Sequence, residues 1–225
     1  MNKFDTTAPI TAALNIPAGR IQVIATDRTD TTVEVRPADP AKSRDAKAAE
    51  QITVDYRDGV LHIEAAPPKN RVLGHAGSVE VTIQLPAGSH IQAKAAATEF
   101  RGVGRLGDVT VDGAYGKNEA IKLDEAASAR LTAHAGDITI GRLTGAADIS
   151  TTKGNITITE AQRGTLVLRT QAGDVTVDAA HSSSATLDAG TTLGRINNTL
   201  RNTEDTPDLT IHATTTHGDI TARSL

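Results

Sequence analysis

A pentapeptide of one pattern, glycine and then Asp or Asn followed by apolar-Thr-apolar, returns five times in the second half of the chain. The copies are Gly107-Asp108-Val109-Thr110-Val111, Gly136-Asp137-Ile138-Thr139-Ile140, Gly154-Asn155-Ile156-Thr157-Ile158, Gly173-Asp174-Val175-Thr176-Val177 and Gly218-Asp219-Ile220-Thr221-Ala222. A degenerate copy, Gly194-Arg195-Ile196-Asn197-Asn198, precedes the last one. From the second copy the intervals are 18, 19, 21 and 24 residues (136, 154, 173, 194, 218). The longer gap from 107 to 136 holds Ala120-Ile121-Lys122-Leu123, which reads as a coil without its glycine. Before each glycine lies a second extended run, such as Ala147-Asp148-Ile149-Ser150 or Leu166-Val167-Leu168-Arg169. Two short strands per repeat cannot bury their apolar side chains alone, so each repeat must stack on its neighbours.

Strand, corner, strand and loop together describe one coil of a parallel β-helix, with coils spaced by about 4.8 Å. The Val, Ile or Leu residues flanking each central Thr then point inward, and the threonines form an outward ladder. This accounts for an unusual composition: 32 threonines and 19 glycines against only four aromatic residues, none of them Trp. A narrow coil interior suits β-branched side chains better than rings.

Residues 1–88 alternate apolar and polar residues at period two, as in Val79-Glu80-Val81-Thr82-Ile83-Gln84-Leu85 and Ile52-Thr53-Val54-Asp55-Tyr56. Breaks at Pro17-Ala18-Gly19, Asp58-Gly59 and Pro86-Ala87-Gly88 join these runs as turns. A short solvated helix or loop is expected at 41–51, and a loop excursion from Pro67 to Ala76. The solenoid repeats occupy 89–225 and continue from the first part. The fold expected is therefore all-β: a parallel β-helix, or solenoid, with coils of about 18–24 residues, preceded by N-terminal β-strands.

The repeated corners Gly107-Asp108, Gly136-Asp137, Gly154-Asn155, Gly173-Asp174, Gly194-Arg195 and Gly218-Asp219 are read as a structural turn column. Glycine supplies positive φ, and Asp or Asn bonds nearby backbone amides as an Asx turn. The competing reading is a column of calcium ligands. Calcium-binding β-rolls repeat every nine residues with paired glycines, whereas here each corner has one glycine and one side chain that is not always acidic. Read in chain order, Asn155 and Arg195 interrupt the acids and relieve repulsion between stacked carboxylates. No metal is expected on that column.

Seven histidines, His62, His75, His90, His134, His181, His212 and His217, show no HxH, HxxxH or HExxH spacing and read as surface loop residues. Gly102-Val103-Gly104-Arg105-Leu106-Gly107 leads into a strand, not a helix, so it lacks the helix N-terminus that a phosphate loop needs. No nucleophile elbow or P-loop is present. Catalytic and cofactor-binding residues are both expected to be none. Zero Cys excludes disulfides and thiolate chemistry. A net charge of −4 without a basic domain argues against a nucleic-acid partner. Neither an apolar leader nor a long apolar stretch is found, so direct membrane insertion is not expected and the chain reads as cytoplasmic.

The repeats, together with Ile16-Pro17-Ala18-Gly19-Arg20-Ile21-Gln22-Val23, Thr32-Val33-Glu34-Val35-Arg36-Pro37, Asp58-Gly59-Val60-Leu61-His62-Ile63 and the Val79 to Gly88 run, resemble a known family. It is the bacterial "putative adhesin" family of unknown function, related to the toastrack domains. The likeness covers nearly the whole chain. It implies a β-helix-like fold and a non-catalytic role; some relatives carry membrane segments and look like parts of envelope-stress systems, as sensors or scaffolds.

The function expected is a non-catalytic binding or assembly scaffold, linked by that resemblance to envelope stress or adhesion. A protein partner, or a second copy, would pair with the solenoid end at Gly218 to Leu225, where no capping helix follows. The alternative is a carbohydrate- or ligand-binding β-helix, with hydrolysis if a groove holds paired acids.

Overall fold

The computed structural model describes residues 1–66, 77–203 and 206–225, with the side chains of 118 and 119 set aside. The excursion expected from Pro67 to Ala76 lies outside the described residues, as does His75.

Among the described residues, fifteen strands and one helix follow each other along the chain. The first six strands are β1 (Asn2–Asp5), β2 (Thr11–Thr26), β3 (Asp30–Pro37), β4 (Ile52–Arg57), β5 (Val60–Ala65) and β6 (Val79–Pro86), with α1 (Ser43–Glu50) between β3 and β4. The helix lies within 41–51, the stretch expected to be a short solvated helix or loop. It lacks an apolar stripe, and buried Asp45 ties it down by accepting the Ser78 amide at 3.0 Å. The remaining strands are β7 (His90–Leu143), β8 (Ala147–Lys153), β9 (Ile156–Ala161), β10 (Gly164–Ala172), β11 (Val175–Ala179), β12 (Ala185–Leu193), β13 (Ile196–Thr199), β14 (Leu209–His217) and β15 (Ile220–Ser224).

These strands form two parallel ladders, one before each corner and one after it, so the repeat folds as a solenoid rather than a closed barrel. In the first ladder β5, the start of β2 and the start of β7 lie side by side. Further along, residues 129–135 of β7 pair with β8, β8 with β10, β10 with β14 and β14 with β12. In the second ladder β6 and the later part of β2 lead to β7, then to β9, β11, β15 and β13. The long strand β7 contributes to both ladders because it turns corners at Gly104, Gly113 and Gly136, all with positive φ.

The register places Thr139 beside Thr157, Thr157 beside Thr176 and Thr176 beside Thr221, which is the outward threonine ladder. Their neighbours Ile138, Ile140, Ile156, Ile158, Val175, Val177, Ile220 and Ala222 are buried in one continuous core. Burying each such Val or Ile side chain stabilises the stack by about 1.5–3 kcal/mol.

The two ends of the stack differ. At the N-terminal end, antiparallel pairs β1–β3–β6 and β4–β5 replace the parallel coils. Phe4 on β1 and Tyr56 on β4 meet there with ring centroids 5.6 Å apart, bridging the two ladders and covering the core. Half of the chain's aromatic residues thus serve as an end plug.

At the other end the chain does not wind in sequence order. The C-terminal coil, β14 and β15, is inserted between the coil of β10–β11 and the coil of β12–β13. The expectation that Gly218 to Leu225 forms the open end is therefore corrected: that segment is paired on both sides. The last coil in space is β12–β13, whose strands have a neighbour on one side only among the described residues.

Candidate functional site: the corner column and the open coil

The corner residues line up along the solenoid axis, and their side chains reach across coils. The Asn155 amide N–H donates to Asp137 Oδ1 at 2.7 Å, and Asp174 N–H donates to Asn155 Oδ1 at 2.8 Å. Asp219 N–H donates to Asp174 Oδ1 at 2.7 Å, and Arg195 N–H donates to Asp219 Oδ1 at 2.8 Å. The expectation that Gly107-Asp108 belongs to this column is corrected: Asp108 N–H donates to His90 Nδ1 at 3.0 Å and Ser128 Oγ donates to Asp108 Oδ1 at 2.6 Å, which sets Val109–Val111 beside residues 129–131 in the first ladder. The expectation of a local Asx turn is thus refined: each acceptor bonds the amide of the adjacent coil, which pins one coil to the next.

The glycines of this column leave no room for a side chain. A Cβ on Gly173 would stand 2.0 Å from the Gly154 carbonyl oxygen, and one on Gly218 would stand 2.0 Å from that of Gly173. Gly136 sits against the Gly116 carbonyl, which is the preceding member of the column, whereas Gly107 sits outside it against Gly88 O. Gly194 is the tightest, at 1.9 Å from Gly218 O.

A companion signal sits three residues before the corner. Thr170 Oγ1 donates to Gly154 O at 3.0 Å, Thr215 Oγ1 to Gly173 O at 2.9 Å and Thr191 Oγ1 to Gly218 O at 3.0 Å. The recurrence Thr-x-x-Gly, present at 151, 170, 191 and 215, marks these residues in the sequence but was hidden behind the more conspicuous Gly-Asp pair. Thr151 is buried with its hydroxyl unpartnered.

The spatial column reads Asp137, Asn155, Asp174, Asp219, Arg195, so Asp174 and Asp219 are direct neighbours and Arg195 does not separate them. Arg195 instead closes the column from outside, with its guanidinium 3.4 Å from Asp219 Oδ2. Among the described residues no group of three His, Asp or Glu side chains is arranged to hold a metal ion. His134 and His217, each just before a corner, lie three coils apart by register, about 14 Å at the usual strand spacing.

Arg195 leads directly to the open coil. Ile196 on β13 is 47% exposed, while its register partner Ile220 on β15 is 1% exposed. Leu193, the last residue of β12, is 62% exposed. Leu187 and Ala189 on β12 are half-buried, whereas Ile211 and Ala213 beside them are buried. Ile196 thus faces solvent at a position that is core in the coil beneath it, while Leu187 and Ala189 are partly uncovered, next to a strand edge that has no further strand among the described residues. One more strand in the same register would bury Ile196 as β13 buries Ile220.

Among the surface grooves lined by charged side chains, two bear on function. One, of about 450 Å³, is lined by Arg105, Asp124, Glu125, Arg142 and Glu160 together with Leu225. Gln162 and Arg142 hydrogen-bond the Glu160 carboxyl, at 3.3 and 3.1 Å, and hold its pKa below the ordinary value. The other, of about 520 Å³, lies on the outer face of the second ladder and is predominantly basic.

A family model described as Toastrack DUF4097 matches residues 16–223. The sequence matches none of the curated proteins. Among solved structures, a "putative adhesin" from Bacteroides fragilis NCTC 9343 is 13% identical, covers 98% of this chain and 95% of its own, and has a TM-score of 0.48. A "putative cell adhesion protein" from Clostridium sporogenes ATCC 15579 is 11% identical over 100% of this chain and 99% of its own, at a TM-score of 0.37. A "Putative lipid binding protein" from Parabacteroides distasonis ATCC 8503 is 10% identical over 98% and 95%, at a TM-score of 0.42.

Proposed function

The chain belongs to the Toastrack DUF4097 family, and we propose that it is a non-catalytic binding scaffold that takes an extended strand of a protein partner onto its open terminal coil. One observation carries this reading: Ile196 is 47% exposed where its stacked equivalent Ile220 is 1% exposed. An added strand would satisfy the free edge of β12 or β13 by main-chain hydrogen bonds and cover these apolar side chains, the chemistry of β-augmentation. Each such hydrogen bond contributes about 0.5–1.5 kcal/mol net, so a handful of them with one buried Ile supports useful affinity.

The hydrolytic alternative finds no support in the acidic groove. A general acid needs a carboxyl held protonated by its surroundings. Glu160 is driven the other way by Gln162 and Arg142.

The test uses a labelled synthetic peptide of residues 151–161, which carries one corner and one inward-facing strand of the repeat. Binding is expected in fluorescence anisotropy, together with concentration-dependent association of the whole chain in sedimentation. Ile196→Lys should abolish both while leaving the circular dichroism spectrum and the melting midpoint in place. A monomer at high concentration that ignores the peptide would overturn the reading.

A further inference from the structure

We propose a second binding site, independent of the open coil, that takes a phosphate or sulfate ester on the outer face of the second ladder. The basic groove there is lined by Arg20, Gln22, Glu99, Phe100, Arg101, Lys117 and Lys122. Among its described side chains the groove brings Arg20, Arg101 and Lys117, with Lys122 engaged in an interaction of its own, to one carboxylate, in a chain whose net charge is −4. That carboxylate is already engaged: Arg20 donates to Glu99 Oε2 through Nε at 3.3 Å and Nη2 at 3.0 Å. Among the described residues no carboxylate pairs with Arg101 or Lys117, whereas Arg36, Arg142 and Arg169 elsewhere on the molecule are each paired with one.

The sheet register fixes the donors relative to one another. Arg20 is opposite Glu99 and Gln22 is opposite Arg101, on the same face and two residues along. Gln22 and Arg101 are therefore cross-strand neighbours on β2 and β7, and Lys117 and Lys122 line the same groove. A guanidinium suits two oxygens of a tetrahedral anion, and the ammonium groups add charge without directional demand.

The site has an aromatic margin. An adjoining groove of about 300 Å³ shares Arg20, Glu99 and Lys117 and adds Tyr115 and Gly116, with the Glu80 carboxylate on its lining as well. Tyr115 is 47% exposed, the exception among the aromatics, since Phe100 is buried and Phe4 and Tyr56 pack against the core. A ring attached to the anion can lie on Tyr115 while its phosphate or sulfate occupies the basic groove. A free sugar phosphate and a phosphorylated lipid headgroup share this chemistry.

The whole chain is titrated with inorganic pyrophosphate and with glucose 6-phosphate, following backbone amide shifts. Residues 20–22, 99–101, 115–117 and 122 are expected to move together and saturably. The affinity should fall about tenfold for Arg101→Gln and again for Lys117→Gln, consistent with the loss of one charge-assisted contact each. Tyr115→Ala should weaken glucose 6-phosphate and leave pyrophosphate unchanged. Co-sedimentation with phosphatidylcholine vesicles containing phosphatidylglycerol separates the sources: binding to vesicles lost in Arg101→Gln assigns a lipid headgroup, and its absence alongside soluble binding assigns a free ester. The control Arg169→Gln, on the other ladder, should change nothing. Shifts spread evenly over all surface cations, or affinities untouched by Arg101→Gln and Lys117→Gln, would overturn the proposal. Ile196→Lys leaves this site intact, so it and the open coil stand or fall separately.

Discussion

Asp219 donates its backbone N–H to Asp174 Oδ1 at 2.7 Å across 45 positions of sequence, skipping the corner at Arg195 that lies between them in the chain. This bond identifies the true neighbour of the C-terminal coil. It also explains why the degenerate corner is the outermost one: a guanidinium has no acceptor to offer the amide of a further coil. Arg195 can therefore receive the column but not extend it.

Removing one acceptor from that column should loosen the coil beyond it. Asp174→Ala leaves the Asp219 amide without its partner and is expected to cost about 1 kcal/mol, the usual net worth of such a bond. Asp174→Asn keeps an acceptor oxygen, as Asn155 does naturally, and should be nearly neutral. Urea midpoints at unchanged slope measure both.

A glycine inside the stack and one on the open coil should respond in opposite ways. Gly173 has φ of 151° and a hypothetical Cβ 2.0 Å from a backbone oxygen, so Gly173→Ala forces adjacent coils apart. A loss of about 2–4 kcal/mol or failure to fold is expected, combining strain with lost stacking. Gly190 on the open coil has nothing within 4 Å of its Cβ position. Gly190→Ala should be neutral or gain up to about 1 kcal/mol through the unfolded state. Paired thermal melts decide the contrast.

Much of this architecture is legible in the sequence, because the solenoid writes its stacking into a repeat. From Gly136 onward the Gly-Asp-apolar-Thr-apolar pattern locates the corners, the inward pairs and the threonine ladder, but its first copy at Gly107 opens a strand of the first ladder, where the same turn-then-strand signal also occurs. The order of coils in space is not periodic information, since Ile196 and Ile220 sit in similar repeats and either could lie outermost by pattern alone. The missing acceptor at Arg195 is the one local mark of which coil ends the stack. The Phe4–Tyr56 plug and the basic groove escaped because both depend on residues brought together from separate strands with no shared motif.

Acid should release the N-terminal cap before the repeats. Hydrogen bonds and charge from Arg28, at 2.8 Å, and Lys3, at 3.1 Å, lower the Asp30 pKa to about 2. A carboxyl lowered on folding contributes stability that is present above its unfolded pKa and is lost as pH falls through the folded value. The window runs from about pH 4, the unfolded value, down to about pH 2. Over that range the ring-current shift between Phe4 and Tyr56 should fade as β1 detaches from β3. Asp30→Asn should show the weakened cap already at neutral pH, with the pH response flattened.

The inserted C-terminal coil is held at its far end by a clamp whose removal should be worse than losing a corner bond. Arg223 donates through Nε at 2.7 Å and Nη2 at 2.8 Å to the two oxygens of Asp178, its register partner on β11. The Asp178 side chain is only 7% exposed, and the pair raises the Arg223 pKa. Breaking a buried pair from one side leaves a charge with neither partner nor water. Arg223→Ala should thus lower the melting midpoint more than Asp174→Ala does and increase amide exchange through β14 and β15. Adding Asp178→Asn to Arg223→Ala removes the stranded charge and should restore part of the loss. If the double variant is no more stable than the single one, the clamp acts by packing of the arginine stem and not by charge pairing.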